Sequence, residues 1–295
     1  MTARADLPAA WLAGGRTECR GAADALFPWF SVTKTAIAAA ALKLHETGRL
    51  DIEARIPGKP FSMAQLLQHR AGLPDYGALP EYREAVARRA PPWPREELLR
   101  RAGAGRLVYP PGQGWRYSNI GYMLAGRIVA DAAGGTLAEA LRTLVADPLG
   151  LETMRLAGAE DFARLHWDAD GYDPGWVYHG CLVGTATDAA RMMDGILGGG
   201  LLRPETLERM QRRHPLGDGI PGRPWTRHGY ALGLMSGEVA RLGRAVGHSG
   251  GGPIGSCAVY RFADLAAPVT VAVFSPGTDE GVPETEAVRL ASFRA

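Results

Sequence analysis

Apolar and polar positions along this chain change their period twice, and each change marks a boundary. Residues 11–21 have room for two short strands joined at Gly14-Gly15. Ser31 then precedes residues 33–47, a run that carries four consecutive alanines at 38–41 and stops at Gly48. That run predicts a helix with a polar start and a glycine stop. Its alanines are strong helix formers and leave a nearly featureless surface, which suits burial between two layers.

Between residues 62 and 223 the helical period dominates. Ser62 is placed to cap a helix running to His69, and Gly72-Leu73-Pro74 ends that segment. Residues 94–101 predict a short helix. Residues 120–133 are apolar at helical spacing and stop at Gly134-Gly135; 137–145 and 187–197 follow, and Pro204 opens one more helix at its first turn. From residue 230 the period shortens. Residues 230–235, 244–248, 256–262 and 269–274 are rich in β-branched or aromatic residues and are separated by Gly, Asp or Pro. Residues 284–293 close as a helix. The order predicts an α/β (α+β) chain with an antiparallel sheet flanked by helices and built from both termini. Residues 1–61 and 225–295 would form that lobe, and 62–224 a mainly helical one.

Composition narrows the function more than the fold. The chain has 295 residues, and its formal net charge of +2 is too small to point to a nucleic-acid partner. Its densest basic stretch, residues 83–101, interleaves Arg with Glu as a solvated helix face does. No apolar run is long enough to span a bilayer. The three cysteines, Cys19, Cys181 and Cys257, lie far apart, with no CxxC, as in buried free thiols of a reducing compartment. With no secretory leader visible, the cytoplasm is the expected compartment, or the periplasm for a chain trimmed of its leader.

Three segments could carry chemistry. Ser31-Val32-Thr33-Lys34 is S-x-x-K at a helix start, where residues three apart share a face, so the lysine amine can lie against the serine hydroxyl. A serine hydroxyl needs a base, and a lysine held out of bulk water has a lowered pKa and can serve. The pattern is common, and taken alone it would more often be a helix-capping Ser31 and a solvated Lys34. Tyr117-Ser118-Asn119 follows Pro110-Pro111-Gly112 and precedes a helix; its tyrosine offers a second proton shuttle and its Asn an amide ligand. Gly247-His248-Ser249-Gly250-Gly251 ends a strand-like run, and its glycines let backbone lie close to a ligand.

In order and rough spacing, Ser31-x-x-Lys34, Tyr117-x-Asn119 and His248-Ser249-Gly250 resemble the three motifs of serine β-lactamases and penicillin-binding proteins. The class C β-lactamases, the D-alanyl-D-alanine carboxypeptidases and their esterase relatives are the most similar branches. The surrounding words agree: Leu66-Leu67-Gln68-His69-Arg70-Ala71-Gly72-Leu73-Pro74 and Pro148-Leu149-Gly150-Leu151. The resemblance covers residues 27–274. It implies a β-lactamase/transpeptidase-like fold and acyl transfer to Ser31, with Lys34 as base or relay, Tyr117 as proton shuttle and Asn119 as a substrate-amide ligand. His248, Ser249, Gly250 and Gly251 would line the substrate, and the N–H groups of Ser31 and Gly251 would form the oxyanion hole. The substrate would be a small molecule: a β-lactam, an ester or a D-amino-acid peptide. No metal and no cofactor is implied. The rival reading is a non-catalytic penicillin-recognising relative that acylates without turnover.

Two departures matter. His248 stands where the family often has Lys, which weakens the grip on a substrate carboxylate near neutral pH. The segment before Ser31 is shorter than usual, so the resemblance implies a reduced sheet or covering helix. Other motif matches fail on context. Gly247-x-Ser249-x-Gly251 copies the α/β-hydrolase elbow, but a strand-like run follows it and no His occurs after His248. Gly250, Gly252 and Gly255 spell a dinucleotide loop that Pro253 contradicts. Asp168, Asp170 and Asp173 suggest a calcium loop whose twelfth position is His179 rather than Glu. His166, His179, His214 and His228 have no metal spacing and read as surface or hydrogen-bonded residues.

Overall fold

The glycine pair turns the N-terminal segment as expected. In the computed structural model, which describes residues 6–293, β1 (Ala9–Ala13) and β2 (Arg16–Arg20) form a hairpin. Gly14 and Gly15 between them hold φ of 54° and 76°, a left-handed pair that side chains with a Cβ resist. A two-residue strand, β3 (Phe27–Pro28), leads into α1 (Thr33–Glu46). The helical stretch follows: α2 (Met63–Leu67), α3 (Pro80–Ala87), α4 (Arg95–Arg101), α5 (Asn119–Ala133), α6 (Leu137–Leu141) and α7 (Asp147–Leu149). Then come β4 (Arg155–Leu156), α8 (Ala159–Phe162), β5 (Leu182–Gly184), α9 (Ala186–Leu197) and α10 (Pro204–Gln211). The strands β6 (His214–Asp218), β7 (Trp225–Tyr230), β8 (Met235–Val239), β9 (Gly243–Gly252), β10 (Gly255–Phe262) and β11 (Val269–Ser275) precede the last helix, α11 (Gly281–Ser292).

One eight-stranded antiparallel sheet runs β2-β1-β11-β10-β9-β8-β7-β6, so residues from both ends of the chain do build it. Its two faces serve two cores, as the alternation of side chains along a strand requires. Cys257, Val259, Ala272 and Phe274 pack with the helical body around α1 and α9. Ala258, Tyr260, Val271 and Val273 pack under Ala287 and Leu290 of α11. The alanine-rich α1 is buried on every side from Thr33 to Leu42, as its composition predicts. A second, three-stranded sheet, β3-β5-β4, braces the start of α1.

Several elements differ from the sequence expectation. The run 230–235 is not one strand: Tyr230 ends β7, Met235 begins β8, and 231–234 form the buried turn between them. Gly233 has φ 72°, and a Cβ there would sit 2.4 Å from that of Ala38. The run is apolar because the turn is pressed onto α1. The helix from Ser62 is held by a reciprocal capping box with Gln65, yet it ends two residues before His69, whose φ of 58° breaks the helix. Strand β6, within the stretch read as helical, carries Pro215 and Gly217 on a half-exposed edge, where strand alternation is weakest.

Candidate active site

Ser31 sits in a single tight turn, Phe30–Val32, between β3 and α1. The turn is pinned from both sides. Trp29 donates its backbone N–H to the Leu182 carbonyl at 2.8 Å and its indole N–H to the Gly184 carbonyl at 3.2 Å. The Leu182 amide donates to the Thr33 hydroxyl at 2.9 Å. Phe30, immediately before the serine, holds φ 42°, a strained conformation for a bulky residue. Its ring lies so close to β9 that a Cβ on Gly252 would be 2.3 Å from it.

One helical turn on, the Lys34 Nζ lies 2.8 Å from the Ser31 Oγ. Lys34 is wholly buried and forms no ion pair among the described residues. Burial therefore pushes its pKa down to about 7, and the attraction of Asp75 and Glu280 offsets only part of that. The Tyr117 hydroxyl is 2.9 Å from the same Oγ, and its ring lies 5.0 Å from the lysine nitrogen. Burial raises the Tyr117 pKa well above its ordinary value, so it is a neutral phenol that can donate. His69 packs against Tyr117 at 4.3 Å between ring centres, tilted by 36°, and its Nδ1 accepts the Ser118 N–H at 3.1 Å. That holds the tyrosine in place.

Asn119 opens α5 beside this group and lines the cleft. Its backbone N–H donates to Asp75 at 2.7 Å, and its side-chain amide lies 3.4 Å from the other oxygen of the same carboxylate. The third segment divides. Gly250 and Gly251 present backbone to the site: a Cβ on Gly250 would stand 3.0 Å from the Ser31 amide nitrogen and 2.6 Å from the Trp29 carbonyl. The side chains of His248 and Ser249 are both buried and already bonded. His248 pairs through Nε2 with the Tyr230 hydroxyl at 2.8 Å and through Nδ1 with the Ser249 carbonyl. Burial, then the field of Lys34, lowers its pKa to about 3, so it is neutral. The Ser249 Oγ bonds Tyr260 at 2.7 Å and donates to Glu284.

The cleft of about 370 Å³ runs from Ser31 along an aromatic wall of Tyr76, Tyr82, Tyr172 and Trp176. The Tyr82 ring meets Trp176 edge-on at 5.3 Å and Tyr76 at 4.9 Å, which stiffens that wall. One residue at the site escaped sequence reasoning. The His179 Nε2 is 3.0 Å from the Lys34 Nζ, across 145 positions of chain. Its loop carries no spacing signal, and only the fold brings it there. Among the described residues no cluster of His, Cys, Asp or Glu could hold a metal ion, and no helix is long and apolar enough to cross a membrane.

A family model described as Beta-lactamase matches residues 11–293. Esterase EstB of Burkholderia gladioli is 28% identical over 272 residues, covering 74% of this chain and 69% of the esterase. Lovastatin esterase of Penicillium rubens is 26% identical over 195 residues, 57% of this chain and 49% of that protein. Among solved structures, D-amino acid amidase from Ochrobactrum anthropi SV3 superposes with a TM-score of 0.78 at 21% identity, over 98% of this chain and 94% of that one.

Proposed function

This chain belongs to the β-lactamase family, and from that premise we propose that it is a serine hydrolase whose acyl-enzyme forms on Ser31, with a preference for small esters or amides that lack a carboxylate. One observation carries the proposal: a desolvated lysine amine and a neutral phenol both lie within hydrogen-bond distance of one serine oxygen. The neutral Lys34 amine takes the Ser31 proton as Oγ attacks the substrate carbonyl carbon. The backbone N–H groups of Ser31 and Gly251 hold the resulting oxyanion. Collapse expels the alcohol or amine, which takes a proton delivered through Tyr117 from the Lys34 ammonium. Water then attacks the acyl-enzyme as Lys34 takes its proton; collapse breaks the acyl–Oγ bond, Lys34 returns that proton to the Ser31 Oγ, and the acid is released.

Substrate preference follows from the third segment. His248 is neutral, and Ser249 donates to the Glu284 carboxylate, so neither offers charge or a free hydroxyl to a substrate carboxylate. The aromatic wall favours an apolar acyl group. Two esterases among the relatives point the same way. A fluorophosphonate probe should add mass to the peptide containing Ser31, and p-nitrophenyl butyrate should be turned over faster than nitrocefin or a D-alanyl peptide. Labelling that persists in Ser31→Ala, or a stable penicillin adduct with no ester turnover, would sink the reading.

A further inference from the structure

We propose that His179 is the positioning residue of the lysine base: its Nε2 accepts an N–H of Lys34 and so aims the amine lone pair at Ser31. The inference rests on Lys34 being that base. A neutral amine has two N–H groups and one lone pair, and rotation about its last bond decides where the lone pair points. For proton transfer it must face the Ser31 Oγ, 2.8 Å away.

The surroundings leave one group to fix that rotation. The rings of Tyr117 and Tyr122, at 5.0 and 5.6 Å, offer broad electrostatic faces rather than a directional acceptor. The Asn119 amide is turned toward Asp75. That leaves His179 Nε2, 3.0 Å away in a ring only 4% exposed. An accepting Nε2 needs its ring proton on Nδ1. Nδ1 has no hydrogen-bond partner among the described residues, while the Phe30 carbonyl lies near enough to the ring to favour a proton on it. An imidazole holds an acceptor in one place more firmly than a flexible side chain could. His179 thus stands to Lys34 as an orienting group stands to a general base elsewhere.

The acceptor also acts on the proton balance. It bonds the ammonium more strongly than the amine, because that bond is charge-assisted. The other groups that face Lys34 are Asp75, Glu280 and Cys181, and the neutral rings of Tyr117, Tyr122, His69 and His248. None of these changes in a His179 variant. Loss of the acceptor therefore lowers the pKa of Lys34, and the acid limb of kcat/KM moves to lower pH.

The test uses His179→Leu, which fills the space without an acceptor, and His179→Gln, whose amide oxygen can replace it. With p-nitrophenyl butyrate, the leucine variant should lose roughly 10²-fold in kcat, with little change in KM and an acid limb about half a pH unit lower or more. The glutamine variant should recover most of that loss and restore the limb. If the leucine variant fails to fold, His179→Ala against His179→Gln makes the same comparison. A leucine or alanine variant with an unmoved limb, or equal damage in both members of the pair, overturns the proposal. Full activity in Lys34→Ala would instead remove the base itself, a separate failure.

Discussion

Two ionisable side chains are buried on opposite faces of β9, and the fold treats them in opposite ways. Lys34 lies on the face that Gly250 presents to Ser31; its near neighbours are a hydroxyl, an imidazole and two aromatic rings. Glu284 lies on the face reached by Ser249, with its side chain 1% exposed. There it accepts two hydrogen bonds from the Arg223 guanidinium and one each from Ser249, Tyr260 and Trp225. Burial with full compensation makes a brace that joins α11 to the sheet. Burial without a counterion leaves a lysine close to losing its proton near neutral pH, which is a reactive group. Desolvation alone does not distinguish these two charges; the completeness of the partner set does.

The sharpest way to break this contrast is Lys34→Met. We expect kcat on a p-nitrophenyl ester to fall by about 10²–10⁴-fold, while denaturant unfolding shows a fold as stable as wild type at pH 7, or more so. The sign follows from linkage. The lysine pKa is about 7 when folded against an ordinary value of 10.5, so the unfolded chain binds more protons between those values. Its contribution to wild-type stability therefore rises with pH across that window, by at most about 1.4 kcal/mol per pH unit. In Lys34→Met this slope should vanish. A methionine variant that unfolds readily at pH 7 would mean the lysine is structural.

On the other face, Glu284→Leu should reverse the pattern. Arg223 keeps its pair with Glu280 at 3.0 Å, but it loses its bidentate partner and Trp225 loses its acceptor, which should cost about 1–3 kcal/mol of stability. Ester kcat/KM of the folded fraction should change by less than about tenfold. A larger loss would show that the α11 brace holds the β9 backbone in its catalytic position.

Two smaller effects refine the comparison through pH. Because the base must be unprotonated, kcat/KM for an ester should fall about tenfold per unit below pH 7 and level off above it. A flat profile from pH 5 to 8 would assign the base elsewhere. The ratio of ester to cephalosporin turnover should move by less than about twofold between pH 8 and 6, since His248 with a pKa of about 3 stays neutral throughout. A rise in relative cephalosporin turnover toward pH 6 would place a titrating cation in the cleft.

What could be read without coordinates was whatever is local. Ser31 and Lys34 share a face because a helix starts there, and the alanines, the glycine stop and the turn at Gly14-Gly15 are choices of a few residues each. Tyr117 and Asn119 were recognisable because a proline-glycine loop and an apolar helix bracket them. The turn at residues 231–234 was misread because an apolar, aromatic run looks the same whether it pairs in a sheet or is pressed onto a helix. The small sheet β3-β5-β4 was missed because strands of two or three residues carry no period.

By itself, then, the sequence determined the helix that carries the Ser31–Lys34 pair, the order of the three motifs and the use of both termini in one sheet. Periodicity and capping act over a few residues and leave their pattern in the chain. Only the tertiary structure decided that His179 meets the lysine, that His248 and Ser249 turn away into hydrogen bonds with Tyr230, Tyr260 and Glu284, and that Lys34 lacks an ion-pair partner among the described residues. Those outcomes depend on which distant groups share a buried space, and desolvation and pairing are properties of that space rather than of any stretch of chain.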